Sequence, residues 1–355
     1  YIEHDNINRC SPDDAFLVDP PPHNYQYFLD QLLAVKNYYE NISNISFETK
    51  VIDQVFQLSK PMRDLFTAHF SINPVKLHKG ERSVDGTIKY SLQLHDKLLV
   101  EGVLIPSKKR LTACISTQVG CSLACEFCAT GTMKLERNLT ASEIYDQVFI
   151  LNEEAISNFG KTLSNIVFMG MGEPLDNFTH VKKAVDVLVD QRAMGFAPRY
   201  VTLSTVGSSP ASIRRMKDLP IRVAWSIHAV DNALRKQLVP TSKHTMEELR
   251  EAFLEVMHAQ RDSLFVEMTL IDGLNDSSVH AHALADFLAP FPPLVRINLL
   301  PVNAGREGMV PSPDDRVEAF REILRERGYF SMIRKPRGHE EGAACGQLAV
   351  TSQKR

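Results

Sequence analysis

No apolar run in this 355-residue chain approaches the roughly 20 residues that a membrane-crossing helix needs. Residues 1–22 are polar and acidic rather than basic and then apolar, so they do not read as a secretory signal, and a cytoplasmic location is the expectation. The chain does not open on Met, as a trimmed chain would not. Neither sign of charge dominates. A formal net charge of −3 neither demands nor excludes a nucleic-acid partner, so any RNA contact must come from local basic runs. Lys108-Lys109-Arg110, Arg214-Arg215 with Lys217, and Arg334-Lys335 with Arg337 qualify, each expected near the active face, although short runs of this kind are more often solvated surface. Cysteine is scarce as well. Six residues, unevenly spaced, cannot make a secreted disulfide scaffold, and three of them crowd into one short stretch. Solenoid repeats and low-complexity tracts are missing. What is left is a globular protein, 44% hydrophobic, able to bury one large core and a small accessory domain.

Along the chain, a polar leader over 1–24 ends at Pro20-Pro21-Pro22. Helix-spaced apolar residues such as Phe28, Leu32 and Leu33 then predict a helical accessory domain over 25–72. Short β-type runs at 87–94 and 98–105, turning at His95-Asp96, make 73–110 a β-hairpin linker. From 111 to 350 apolar strands alternate with amphipathic helices, and 351–355 is a tail. The strands are expected at 111–116, 166–169, 200–204, 223–227, 264–271, 295–300 and 330–333, and the helices at 179–191, 245–260, 281–288 and 314–327, the last with Asp314 and Asp315 near its N-terminus. Repeated βα units predict an α/β fold with a parallel sheet, its ligand site at the carboxyl ends of the strands.

The sharpest chemical signal is Cys121-Ser-Leu-Ala-Cys125-Glu-Phe-Cys128, placed just after the first of those strands. Thiolates suit iron-sulfur clusters or zinc. Three cysteines on a 4Fe-4S cluster leave one iron open to a small molecule, whereas a structural zinc wants a fourth ligand that no nearby His or Cys is spaced to supply. After the next strand, the glycines of Gly170-Met-Gly172-Glu173-Pro let backbone approach a ligand, and Glu173 can accept hydrogen bonds from an ammonium group. Further strands end in Ser204-Thr-Val-Gly, Ser226-Ile227-His228-Ala and Leu300-Pro-Val-Asn303, which gathers polar groups at one edge. Singly, His228 could be a core histidine and Asn303 a turn residue.

The cysteine spacing, with an aromatic before the last cysteine, resembles the radical S-adenosylmethionine (SAM) superfamily. Together with Gln118-Val-Gly-Cys121, Arg137-Asn-Leu-Thr140, Gly170-Met-Gly-Glu173-Pro-Leu175 and Ala343-Ala-Cys345-Gly-Gln-Leu348, it resembles the radical SAM RNA adenine methyltransferases, over roughly residues 73–350. Pro174-Leu175 and the basic segment from Arg334 to Gly338 favour members that methylate carbon 2 of adenosine in 23S rRNA and tRNA over those acting on carbon 8. The N-terminal part departs from the family, since 28–56 matches its basic, aromatic RNA-binding segment poorly.

The resemblance implies a partial (β/α)6-type barrel. It implies a 4Fe-4S cluster on Cys121, Cys125 and Cys128, and SAM contacts from Gly172, Glu173, Ser204, Ser226, Ile227, His228 and Asn303. Cys345 becomes the methyl carrier, Cys114 its disulfide partner and Glu101 the general base, with two SAM per turnover. RNA is the implied substrate, flavodoxin or ferredoxin the electron donor, no membrane the partner, and a monomer the working form. Taken alone, a lone Cys in a strand is usually a small core hydrophobe and a lone Glu in a hairpin is usually solvated. Cys10 matches no motif. Other radical SAM enzymes, or a zinc-bearing RNA-binding module, are the rival classes.

Overall fold

The computed structural model describes residues 75–349, apart from 192, 293, 304–307 and 339–340, together with 59–61 and 63–64. The polar leader, the tail, Cys10 and nearly all of the expected helical domain over 25–72 lie outside the described residues. Three antiparallel strands, β1 (Lys76–Arg82), β2 (Ile88–Gln93) and β3 (Leu99–Pro106), form one flank of the main sheet. β3 pairs antiparallel with β4 (Leu111–Cys114). A short pair, β5 (Gln118–Val119) and β6 (Arg137–Asn138), stands outside that sheet. From β4 the sheet runs on in chain order, each strand parallel to the one before: β7 (Asn165–Phe168), β8 (Val201–Thr205), β9 (Arg222–Ser226), β10 (Leu264–Leu270), β11 (Arg296–Pro301) and β12 (Phe330–Ile333).

The linking helices are α1 (Ala141–Phe159), α2 (Phe178–Val189), α3 (Pro210–Arg214), α4 (Asn232–Leu238), α5 (Met246–Gln260), α6 (Ser278–Leu288) and α7 (Asp314–Glu326). Strand alternation sorts side chains onto two faces. On β9, Trp225 points to the helices, stacking on Phe253 of α5 with ring centroids 4.2 Å apart and meeting Phe287 of α6 at 5.8 Å. Its neighbours Ala224 and Ser226 face the other way, in register with Ser204 of β8 and Glu267 of β10, and Glu267 is in register with Asn298 of β11. Small or polar side chains from four strands, β8 to β11, thus meet on the inner face while the apolar core holds the outer one. Phe253→Ala would cost about 3–5 kcal/mol of stability, since the cavity would be lined by side chains that cannot collapse.

The expected strands lie within a few residues of the observed ones, and the segment read as a hairpin linker carries one strand more, β1, bonded through β2 and β3 to the edge of the parallel sheet. Three helices, α1, α3 and α4, were not expected. The largest of them, α1, mixes Ser142, Glu143, Asp146 and Gln147 into its buried face, yet Ile144, Val148, Leu151 and Ala155 still make a helix-spaced apolar stripe that the sequence reading passed over. A second sequence signal is a capping box: Thr140 accepts from the Glu143 N–H and Glu143 accepts from the Thr140 N–H. Gln147 then exchanges two hydrogen bonds with the Ser116 backbone (2.9 and 3.0 Å), which fixes the chain as it leaves β4 toward the cysteines.

Candidate active site

Cys121, Cys125 and Cys128 sit on the loop between β5 and β6, at the carboxyl end of β4. The Cys128 N–H donates to the Cys125 carbonyl (3.1 Å) and the Leu123 N–H to the Cys121 sulfur (3.4 Å). Gly131 passes so close that a Cβ there would lie 2.5 Å from the Cys125 carbonyl oxygen. The three cysteines pack with Leu123, Phe127, Leu234, Leu238 and Val302 in an apolar cluster separate from the main core. Burial pushes the Cys121 thiol up to about 12 and raises Cys125 further, while the sulfurs also act on one another. Such sites favour a neutral thiol until a metal takes the proton's place.

A second segment closes over this loop. After β12 the chain turns at Gly338, whose φ of 66° and near approach to Ala343 and Thr87 leave no room for a Cβ. It then lays residues 343–349 across the cysteine loop: the Ala129 N–H donates to the Gly346 carbonyl (2.7 Å) and the Thr130 hydroxyl to the Leu348 carbonyl (2.5 Å). Asn303 Nδ2, just past β11, donates to the Cys345 carbonyl (2.9 Å). Cys345 is exposed, yet enough protein surrounds its sulfur to raise the thiol, with Glu267 and Cys128 adding to the rise and Arg334 opposing it. Cys114, buried at the end of β4, is raised by burial and then by Cys345 itself, so the two lie within electrostatic reach.

Glu101 is not the solvated hairpin residue that composition would favour. It is 2% exposed on β3, its Oε1 lies 3.6 Å from Lys89 Nζ, and its Oε2 has no hydrogen-bond partner among the described residues. Burial raises its carboxyl, Lys89 pulls it back, and the Ala349 backbone binds it, which ties the residue to the Cys345 segment.

Glu173, also 2% exposed, follows β7. Thr205 donates its hydroxyl to Oε1, the Leu175 N–H donates to Oε1 (3.0 Å) and the Val206 N–H to Oε2 (3.0 Å). A carboxylate offers about four acceptor sites, so room remains for one more donor. Burial pushes its carboxyl up to about 7, a value that an arriving ammonium group would bring down. The Ser204 and Ser226 hydroxyls lie 3.1 Å apart across β8 and β9. The Ile227 N–H donates to the Glu267 carbonyl (3.0 Å). His228, held at a φ of 59°, accepts at Nδ1 from the Thr269 N–H (3.2 Å) and meets the Phe127 ring at 4.4 Å. Burial lowers its pKa well below the ordinary value, so the ring is neutral and its proton belongs on Nε2.

A family model of the radical SAM superfamily matches residues 115–285. The chain is 40% identical over 306 residues to a probable dual-specificity RNA methyltransferase RlmN of Cytophaga hutchinsonii, covering 85% of this chain and 83% of that one. It is 40% identical over 303 residues to the dual-specificity RNA methyltransferase RlmN 2 of Myxococcus xanthus, covering 84% and 80%. The crystal structure of a radical SAM methyltransferase from Sphaerobacter thermophilus superposes with a TM-score of 0.83 at 34% identity, covering 90% of this chain and 96% of that one. The chain belongs to the RlmN family of radical SAM RNA methyltransferases.

The cofactors that RlmN-family membership implies are a 4Fe-4S cluster and SAM, and the residues fit both. Among the described residues no three His, Cys, Asp or Glu side chains converge as a single metal ion requires; a 4Fe-4S cluster takes each thiolate on a different iron, and the donor set is soft sulfur throughout. One sequence expectation gains a second reason and one needs correcting. Chain packing also calls for the glycines of Gly170-Met-Gly172: a Cβ on Gly170 would lie 2.6 Å from the Ile115 carbonyl oxygen, and one on Gly172, at a φ of 99°, would lie 2.6 Å from Gln118 Cβ. Gln118 uses that approach to accept from the Glu173 N–H (3.0 Å) and the Ser122 N–H (3.1 Å), stitching the cysteine loop to the Glu173 loop.

The basic runs are not all near the active face. Lys108-Lys109-Arg110 precedes β4, and Arg214 to Lys217 precedes β9, so both lie at the amino edge of the sheet. Arg214 and Lys217 moreover pair with Glu255 at 2.7 and 2.8 Å. Only Arg334 to Arg337, after β12, stands at the carboxyl edge. Sequence reasoning also passed over three buried residues of this edge: Glu267, which accepts from Asn298 Nδ2 (2.7 Å), Asn298 itself, and Arg235. A glutamate in the middle of Leu-Phe-Val-Glu-Met-Thr-Leu was a visible signal for the first. Arg235 had none.

Proposed function

We propose that the chain methylates carbon 2 of adenosines in 23S rRNA and tRNA, with Cys345 as the methyl carrier. The observation that carries this reading is the strap after β12, which brings Cys345 within electrostatic reach of both Cys128 and Cys114. A radical SAM enzyme without a methyl-carrying cysteine has no use for such a strap. Carbon 2, between two ring nitrogens, is electron-poor and cannot attack a methyl sulfonium. When bound, the cluster supplies an electron to SAM at its open iron, and two SAM molecules per turnover supply a methyl group and a hydrogen-abstracting radical.

The chain's own residues do the rest. Glu173 holds the SAM ammonium, and Gly172, Ser204, Ser226, Ile227, His228 and Asn303 line the same edge. Cys345 accepts the methyl group as a thiolate, which the nearby Arg334 favours against burial. Glu101 takes the ring proton, and its raised carboxyl pKa makes it a better base than an exposed glutamate. Cys114 attacks the Cys345 sulfur and frees the product, leaving a disulfide for cellular thiols to reduce. A flavodoxin or ferredoxin would supply the electrons to a monomeric enzyme. Incubation of the anaerobically reconstituted enzyme with 23S rRNA and tRNA, followed by mass spectrometry of the nucleosides, should give 2-methyladenosine. Formation of 8-methyladenosine, or of no methylated adenosine, would overturn the reading.

A further inference from the structure

Arg235, on α4, is 1% exposed. Its guanidinium donates to backbone carbonyls at the carboxyl ends of β8 and β9: Val206 at 2.7 Å, Ser226 at 3.0 Å, and Ile227. Its Nε has no acceptor, and among the described residues no carboxylate lies within ion-pair distance of it. An arginine stays protonated in proteins, and a buried cation without an anion is strongly disfavoured. Three neutral carbonyls satisfy its donors without balancing its charge. Some negative charge must therefore belong beside it.

The surroundings say which. The helix that carries Arg235 is docked on the cysteine loop, because the Leu238 carbonyl accepts from the Glu126 N–H (2.9 Å) and Leu234 and Leu238 pack in the apolar cluster with the three cysteines. The carboxylate nearest in the hydrogen-bond pattern, Glu173, is committed to Thr205, Leu175 and the N–H of Val206, the residue whose carbonyl takes Arg235.

We propose that Arg235 is the counter-charge of the iron-sulfur site, a buried cation whose missing partner is the negative charge of the cysteine-bound cluster. It touches none of the reacting atoms and is a tuning residue. It favours the reduced, more negative state of the cluster, which raises the reduction potential. The proposal rests on the cluster assignment above. A wild-type protein that holds no 4Fe-4S cluster would fail that assignment first, in its own visible and EPR spectra, before any variant is compared.

The test separates charge from hydrogen bonding. Arg235→Gln keeps donors for the carbonyls and removes the charge; Arg235→Lys keeps the charge and loses the planar fork. In the anaerobically reconstituted full chain, dye-mediated titration followed by EPR should show the Gln variant with at least tenfold less reduced cluster at a fixed potential, 59 mV for a one-electron couple. The Lys variant should stay near wild type even if its melting temperature falls. A Gln variant that folds as apoprotein but holds less iron than the Lys variant would support the same conclusion. Wild-type potential and iron content in the Gln variant, or equal losses in both, would overturn it. If Gln does not fold, Arg235→Met takes its place under the same criteria.

Discussion

The two edges of the parallel sheet are built from the same strands and yet obey different rules. At the amino edge, charged residues find partners on the surface: Arg214 and Lys217 close on Glu255, and Gln260 ties down the Met216 and Leu219 carbonyls at 2.8 and 2.9 Å. Titratable groups there stay in water. At the carboxyl edge, Glu101, Glu173, Glu267, His228, Arg235 and two thiols are pressed into the protein, and the pKa of each moves against its charged form through burial. Burying so many ionisable groups costs stability unless they are held ready for a ligand or a reaction. The contrast alone marks which edge does chemistry.

Substitutions can break that contrast, beginning with the most drastic. Cys125→Ala should abolish iron binding and all reductive cleavage of SAM, since one iron loses its only protein thiolate; deoxyadenosine formation by this variant, followed by chromatography, would contradict the cluster assignment. Cys345→Ala should never carry a methyl group and should give no product. Cys114→Ala should still load the methyl and attack RNA, then accumulate as a covalent adduct. A denaturing gel run with and without ribonuclease distinguishes them, and normal turnover by Cys114→Ala would leave that residue a mere core cysteine.

A milder change is Glu101→Gln, which should slow adduct resolution by about 10²–10⁴-fold, the usual share of a positioned proton acceptor. In the wild type the same step should weaken as pH falls through the raised Glu101 pKa, because only the carboxylate can accept the proton. A pH-independent single-turnover rate would exclude it as the base. The smallest effect concerns RNA. Arg337→Ala at the carboxyl edge should lower the salt slope of RNA binding by about 1 if it meets one phosphate, whereas Arg214→Ala at the amino edge should leave affinity and slope unchanged. Equal effects in filter binding would erase the distinction between the edges.

Much of this edge was readable from sequence because strand ends and motif spacing are local. The cysteine loop follows directly from β4, Glu173 from β7, and Ser204 and Ser226 from the ends of β8 and β9. What could not be read is whatever depends on the chain returning to itself. The reason for Gly172 lies in Gln118, the burial of Glu101 lies in the segment near Ala349, and Arg235 shows its character only once α4 sits on the cysteine loop. Helix α1 was legible by contrast, since Ile144, Val148, Leu151 and Ala155 make a helix-spaced stripe in the apolar core, with Gln147 beside it serving the Ser116 backbone.

The strap that carries Cys345 also sets a timetable. Domains form from their N-terminal parts as the chain leaves the ribosome, and the strap's anchors at Ala129, Thr130 and Asn303 are all synthesised before it. A nascent chain that has reached α7 already owns every cysteine of the proposed cluster site and the residues around Glu173, but lacks Cys345, the sulfur proposed to receive the methyl group. Any iron loaded at that stage would meet an open edge, and the proposed methyl carrier arrives after the rest of that edge, as the piece that shuts it.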